Sequence, residues 1–182
     1  MSEYRRTRPP SRSRLVGMNT IRTRLDSPLG ELLLTGEQSP DGTALTSLRL
    51  ADGPGTGAGE HRDDPAFAEA ARQLSAYFAG SLTRFRLPFA AAGTEFQQRV
   101  WRALDEIPYG TTTTYGALAE RLGVPRAEVR AVGAAIGANP LLVVRPCHRV
   151  IGADGSMRGY AGGVERKVRL LTHEGALQPM LG

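Results

Sequence analysis

The chain contains a single cysteine, Cys147. No internal disulfide can form, so a disulfide-stapled secreted scaffold is excluded. A structural zinc site built mainly of cysteines is excluded as well. Lysine is equally scarce: Lys167 stands alone, and the other cations are arginines. No apolar run approaches the roughly 20 residues of a membrane span. The N-terminal residues lack the apolar core of a secretory signal. A cytoplasmic, reducing setting is the simplest fit, and a lone thiol persists there.

What is present is enough for a core. The 182 residues are 41% hydrophobic, which suits one domain or two small ones. The net charge is +5 and the pI about 10.0. A basic, arginine-rich surface fits phosphate-bearing partners. Codon bias in a high-GC genome produces the same composition, and charge alone does not separate the two.

Residues 1–17 are rich in Arg, Pro and Ser without periodicity, and read as a disordered basic tail. Met18 is an alternative start. Thr20–Asp26, Glu31–Thr35 and Ala44–Leu50 read as strands of an antiparallel meander, with turns at Ser27-Pro28-Leu29-Gly30 and Ser39-Pro40-Asp41-Gly42. Ala51–Asp64 reads as a Gly-rich loop with an uninformative His61. Pro65–Gly80 reads as a helix with Phe67, Ala71, Leu74 and Phe78 on its apolar face. Phe85–Phe89 reads as one more strand.

The second half carries the chemistry. Thr94 caps an amphipathic helix to Ile107 through Phe96, Val100, Trp101 and Leu104. Thr114–Leu122 and Arg126–Ala138 form two short helices about Gly123, the pattern of a helix-turn-helix. Leu141–Val144 reads as an apolar strand, Gly152–Gly163 as a glycine-rich loop, and Val164–Glu174 as a last helix with Val168 and Leu171 inward. The fold class expected is α/β: a small antiparallel-sheet-plus-helix domain over 18–92, then a mainly helical winged helix-turn-helix domain over 93–182.

The helix Arg126–Ala138 is rich in small residues: Ala127, Ala131, Gly133, Ala134, Ala135, Gly137 and Ala138. Glycine costs about 1 kcal/mol against alanine inside a helix. Two explanations stand: close helix–helix packing in a core, or close approach to a groove such as the minor groove of DNA. In the second, Arg130 is the one long polar probe.

A lone cytoplasmic cysteine is usually a small buried hydrophobe. Three neighbours of Cys147 argue for more. Pro146 takes the backbone out of regular structure. His148 and Arg149 can supply charge or hydrogen bonds that lower a thiol pKa. Adjacent residues of extended chain point to opposite sides, so His148 reaches the thiol only through a water or a tight turn. Such an imidazole needs an orienting acid, and Glu174 is a candidate. His173 reads as a structural helix-end residue.

Pro146-Cys147-His148-Arg149-Val150-Ile151 resembles the signature of the O6-alkylguanine-DNA alkyltransferases. The resemblance runs from Phe96 to Glu174 through FQQRVWRAL, IPYG, TYGALA, VRAVGAAIGANP, GYAGG and HEG, and more weakly into SPLG and LSAYFAG. It implies direct-reversal DNA repair in a single turnover. Cys147 accepts the alkyl group, His148 deprotonates it through a water, Glu174 polarises His148, and Asn139 holds the active-site turn. Tyr115 rotates a phosphate to flip the nucleotide and assists the leaving guanine. Arg130 fills the base stack while Ala131, Gly133 and Ala134 line the groove. Tyr160, Ala161, Gly162, Val150 and Pro140 wall the base pocket, with Gly163 beside them. The implied partner is double-stranded DNA carrying O6-alkylguanine, bound by a monomer without cofactor or metal. O4-alkylthymine is a further alkyl donor that the resemblance leaves open. Ala161 stands where some relatives have Ser, and Ala134 where a Gly is usual.

Three other readings compete. A non-catalytic lesion sensor would lack Cys147. A helix-turn-helix regulator would carry a second, cysteine-bearing domain. A cysteine hydrolase would turn over.

Overall fold

The computed structural model describes residues 19–53, 61–157 and 159–177, so the basic tail read over 1–17 lies outside the described residues. Strands β1 (Asn19–Leu25), β2 (Leu32–Ser39) and β3 (Gly42–Leu50) form the expected meander. β2 is central and buries Leu32, Leu33, Leu34, Thr35 and Gly36 in succession. Both its faces are covered, so its sequence is continuously apolar rather than alternating. Gly36 is required there: a Cβ would lie 2.9 Å from the Ala44 carbonyl oxygen. A short β4 (His61–Arg62) joins β1 in parallel, giving the order β3-β2-β1-β4. The loop read over 51–64 therefore ends in a strand.

Helix α1 (Ala68–Phe78) follows a 3₁₀ turn at Pro65–Phe67. Leu74 is buried as expected, as is Phe67 in the preceding turn, but Ala71 and Phe78 are half-buried and Ala70, Gln73 and Tyr77 complete the inner face. The face turns because Gln73 and Tyr77 satisfy their polar ends inside: the Gln73 amide bonds the Arg86 backbone and the Tyr77 hydroxyl bonds Glu174. The strand expected over Phe85–Phe89 reduces to one bridge, Leu45 with Phe89.

Helix α2 (Glu95–Asp105) has a capping box in which Thr94 and Gln97 exchange side-chain-to-backbone bonds. It buries Val100, Trp101, Ala103 and Leu104. α3 (Tyr115–Arg121) and α4 (Val129–Gly137) are joined through Gly123 at φ +69°, with a 3₁₀ turn at Arg126–Glu128 before α4. The Trp101 indole donates to the Ala135 carbonyl at 2.8 Å, fixing α4 on α2. The two-residue strands β5 (Thr113–Thr114) and β6 (Val150–Ile151) pair in parallel behind the helix pair. α5 (Val164–His173) closes the core with Lys167, Leu170 and Leu171. Val168, expected inside, is 36% exposed. Leu171 is inside as expected, and Lys167 and Leu170 complete the inner stripe in place of Val168.

Leu141–Val144 is not a strand. Leu141 makes a single parallel bridge to Leu48, and the chain then turns tightly. Val144 N donates to Leu142 O at 2.7 Å and Arg145 N to Leu141 O at 2.9 Å. Val143 is thereby held at φ +67°, a strained conformation for a β-branched residue.

Candidate active site

The turn that ends the Leu141 segment is built by Asn139. Its side-chain Nδ2 donates to Leu141 O (3.3 Å) and Arg145 O (3.2 Å), while Oδ1 accepts from Leu141 N (3.0 Å). One buried amide thus satisfies three backbone groups that helix and sheet leave over. Cys147 N then donates to Arg145 O at 2.8 Å, and Cys147–Arg149 forms a 3₁₀ turn. The extended geometry assumed for Cys147 and His148 does not occur. Arg145 anchors the turn from behind, bonding Asp105 at 3.2 Å and stacking on Trp101 with its guanidinium carbon 5.2 Å from the ring centre.

Cys147 is 5% exposed. Burial pushes its thiol up to about 11, against the pull of the Asn139 amide, Lys167 and Arg145. This corrects the expectation that its neighbours lower the thiol pKa: desolvation wins, and the resting sulfur is a thiol. Arg149 does not reach for the sulfur. Its Nε and Nη2 both bond Glu174 (2.8 and 3.1 Å), and its Nη1 donates to Ile107 O at 2.6 Å.

His148 is fully buried. Burial lowers its pKa, although Glu174 pulls the other way, so the ring is neutral near pH 7. Its Nε2 lies 2.8 Å from Glu174 Oε2. Burial alone would raise Glu174, but hydrogen bonds from His148, Arg149 and Tyr77 hold it at about 2. An ionised carboxylate accepts only, so it assigns the ring proton to Nε2 and leaves Nδ1 as the basic nitrogen. Nδ1 is buried and has no protein hydrogen-bond partner among the described residues.

The other predicted positions fall around this centre. Tyr115 begins α3, capped by Thr114, whose Oγ1 accepts from Ala117 N. Its ring packs near Gly133 of α4, and its hydroxyl lies near Gly159, where an added Cβ would be 3.0 Å away. Burial raises its phenol above the ordinary value, so it stays protonated. The Tyr160 ring is edge-on to His148 at 6.5 Å, and its buried hydroxyl has no partner among the described residues. Gly162 is obligatory against that ring, since a Cβ would lie 2.7 Å from Tyr160 Cε1. Val150 is fully buried, Pro140 half-buried and Ala161 exposed; Gly163, at φ +91°, precedes α5.

Arg130 is not part of this cluster. It is exposed on α4 with Ala131 and Ala134, while Val132, Ala135 and Ile136 face inward. The two explanations for the small residues now separate. Ala135 packs in the core, but an added Cβ at Gly137 would meet nothing within 4 Å, and one at Gly133 only ordinary contact with Tyr115. The fold does not require these glycines, so internal packing does not explain them.

Three site residues escaped the sequence reading. Tyr77 reaches Glu174 from a helix 97 residues away. Lys167 is buried with Nζ 2.6 Å from Val150 O and 5.9 Å from the Tyr115 ring centre. Its signal was available, since the chain's only lysine lies about two helical turns before Glu174. Arg166 ties the pocket loop to the first turn through Leu29 O and Gly162 O.

The fold thus joins a helix-turn-helix with a small-residue outward helix face to a buried thiol beside a carboxylate-oriented histidine. Two family models match in register. The one described as 6-O-methylguanine DNA methyltransferase, ribonuclease-like domain, covers residues 21–91, and its DNA binding domain covers 95–176. A methylated-DNA–protein-cysteine methyltransferase of Mycobacterium leprae is 50% identical over 152 residues, which are 82% of this chain and 89% of the relative. The crystal structure of Mycobacterium tuberculosis O6-methylguanine methyltransferase superposes with a TM-score of 0.77 at 45% identity, covering 88% of this chain and 96% of that one. A structure of the same relative in complex with DNA gives 0.76, over 87% and 93% of the two chains. The chain belongs to the methylated-DNA–protein-cysteine methyltransferase family.

Proposed function

We propose that this chain repairs alkylated DNA by direct reversal, moving the alkyl group from O6 of guanine onto Cys147. The observation that carries the reading is the neutral, carboxylate-oriented His148 immediately after a buried thiol. The Cys147 proton passes to His148 Nδ1 through a water, and Glu174 stabilises the imidazolium. The thiolate sulfur forms a bond to the alkyl carbon as the carbon–O6 bond breaks. The guanine leaves with the electron pair and takes a proton from the Tyr115 hydroxyl, which regains one from the imidazolium by way of solvent. The thioether does not hydrolyse, so each chain reacts once.

A thiol at about 11 is a poor nucleophile at rest, which protects the acceptor from stray electrophiles. Only a base seated in the pocket meets the activated sulfur. Extruding that base costs a few kcal/mol. Arg130, Ala131, Gly133 and Ala134 form the face that enters the minor groove, Tyr115 grips the displaced phosphate, and Tyr160, Ala161, Gly162, Val150 and Pro140 enclose the base. The protein acts as a cytoplasmic monomer, with residues 18–92 as the supporting domain and 93–182 as the DNA-binding and transfer domain. No helix among the described residues is long and apolar enough to cross a membrane.

Two variants test the groove face. Arg130→Ala slows transfer from duplex DNA about tenfold to a hundredfold while leaving transfer from free O6-benzylguanine nearly unchanged. Equal slowing of both removes Arg130 from base extrusion. Gly133→Ala stabilises α4 by about 0.5–1 kcal/mol yet weakens duplex binding, because the added methyl stands between helix and groove. A rise in melting temperature without loss of DNA affinity would falsify the close-approach role.

A further inference from the structure

The buried carboxylate of Glu174 accepts hydrogen bonds from three side chains, and one of them belongs to the N-terminal layer. Tyr77 Oη donates to Glu174 Oε2 at 2.6 Å, the same oxygen that His148 Nε2 contacts at 2.8 Å. Tyr77 is 1% exposed, and its ring is itself fixed, edge-on to Phe78 at 5.1 Å and to Tyr109 at 6.3 Å. The neighbouring His173 bonds the Tyr77 carbonyl oxygen at 2.8 Å, so α1 and α5 are joined at this point through both backbone and side chain. A stabilising role alone would be met by an apolar ring. The hydroxyl is placed on the one oxygen that orients the histidine.

We infer that Tyr77 is a positioning residue of the transfer reaction: its hydroxyl holds the Glu174 carboxylate and shares its charge, keeping His148 neutral and ready to take the thiol proton. The inference rests on the reading of His148 as the base. The physical argument concerns competition for one lone-pair region. Each donor to a carboxylate oxygen reduces the negative charge left for the others. Without Tyr77, Glu174 attracts the imidazolium more strongly, so His148 holds a proton at higher pH and fewer molecules carry the free base. The phenol is kept protonated by burial and by Glu174 itself, so it donates throughout the working range. The other ionisable groups facing this pair are Arg149 on the same turn, Lys167 on α5, Cys147, Tyr109 and Tyr160 from the adjoining loops, and His173, whose ring lies 5.1 Å from that of Tyr77. None of these is altered by removing one hydroxyl from α1.

The test is the pH profile of Cys147 alkylation by free O6-benzylguanine, measured on the full chain and its variants. In the native protein the rate falls on the acid side as His148 protonates, below the ordinary imidazole midpoint. If this limb persists unchanged in His148→Gln, the base reading itself fails. With the limb assigned to His148, Tyr77→Phe moves its midpoint up by about half to one pH unit. The variant then falls roughly threefold to tenfold behind on the acid limb while its alkaline plateau stays within about threefold of native. A merely structural Tyr77 would lower the rate equally at every pH or leave it unchanged, and an unmoved midpoint in folded Tyr77→Phe overturns the proposal. A second substitution guards against poor folding of that variant. Ring-fluorinated tyrosine placed at position 77 keeps the shape and donates more strongly, and it moves the midpoint the opposite way. A midpoint that does not move down there also overturns it.

Discussion

Incubated with a duplex carrying one O6-methylguanine, the native chain gains a single methyl group and then stops, and Cys147→Ser gains none. The sulfur is the chain's only thiol, it is buried, and burial pushes it up to about 11. On the proposed mechanism its reaction therefore depends on handing its proton to His148 as the alkyl carbon is attacked. A serine hydroxyl is held by the same turn but is far less acidic and less nucleophilic than sulfur. Because Asn139 organises the turn through backbone groups, the substitution leaves the fold intact and the loss is chemical. Intact-protein mass spectrometry reads both outcomes, and peptide mapping locates the adduct. More than one guanine restored per chain would indicate a hydrolysing or turning-over enzyme. A methyl on any other residue would remove Cys147 as acceptor.

Glu174→Gln should lower stability by about 3–5 kcal/mol near neutral pH, as expected when one member of a buried charged pair is removed. The change leaves Arg149 buried with its Nε and Nη2 facing an uncharged group. It also returns His148 an ambiguous partner, because an amide can donate as well as accept, so alkyl transfer falls with stability. The pH dependence carries the sign. Glu174 takes a proton near 4.5 when unfolded but only near 2 when folded. Its stabilising contribution is fully present above 4.5 and is lost as the pH falls through about 2. The difference of 2.5 pH units (4.5 minus 2) corresponds to on the order of 3 kcal/mol. Denaturant midpoints measured between pH 2 and 7 should therefore fall steeply for the native chain over the acid range and much less for Glu174→Gln. Parallel curves for the two proteins would show that the carboxylate contributes little to folding.

What could be read in advance followed local pattern. The capped α2, the paired short helices about Gly123 and the meander all announce themselves within a dozen residues. So did the set Asn139, Cys147, His148 and Glu174, through the resemblance of their surrounding motifs. The Leu141–Val144 run misled because four apolar residues before a proline look like a strand. The outcome is decided by Asn139, whose amide catches carbonyls at 141 and 145, and no periodicity reports that. The thiol misled for a different reason. Sequence neighbours suggest charge beside the sulfur, whereas burial, which the sequence does not report, dominates. Tyr77 and Lys167 were missed because a polar tip satisfied across two layers leaves an apolar-looking face behind.

The buried Lys167 has a practical consequence. It is the only lysine in the chain, and its amine is turned inward against the Val150 carbonyl. Every exposed cation along the chain is therefore an arginine, or a histidine when protonated. Amine-reactive esters, aldehyde cross-linkers and enzymes that attach a tag to a lysine side chain find no exposed lysine among the described residues. Guanidinium-directed dicarbonyl reagents find many arginines, Arg130 among them. The outward face of α4 thus carries no ε-amine for amine-directed reagents to consume, and its exposed Arg130 remains as the charged handle.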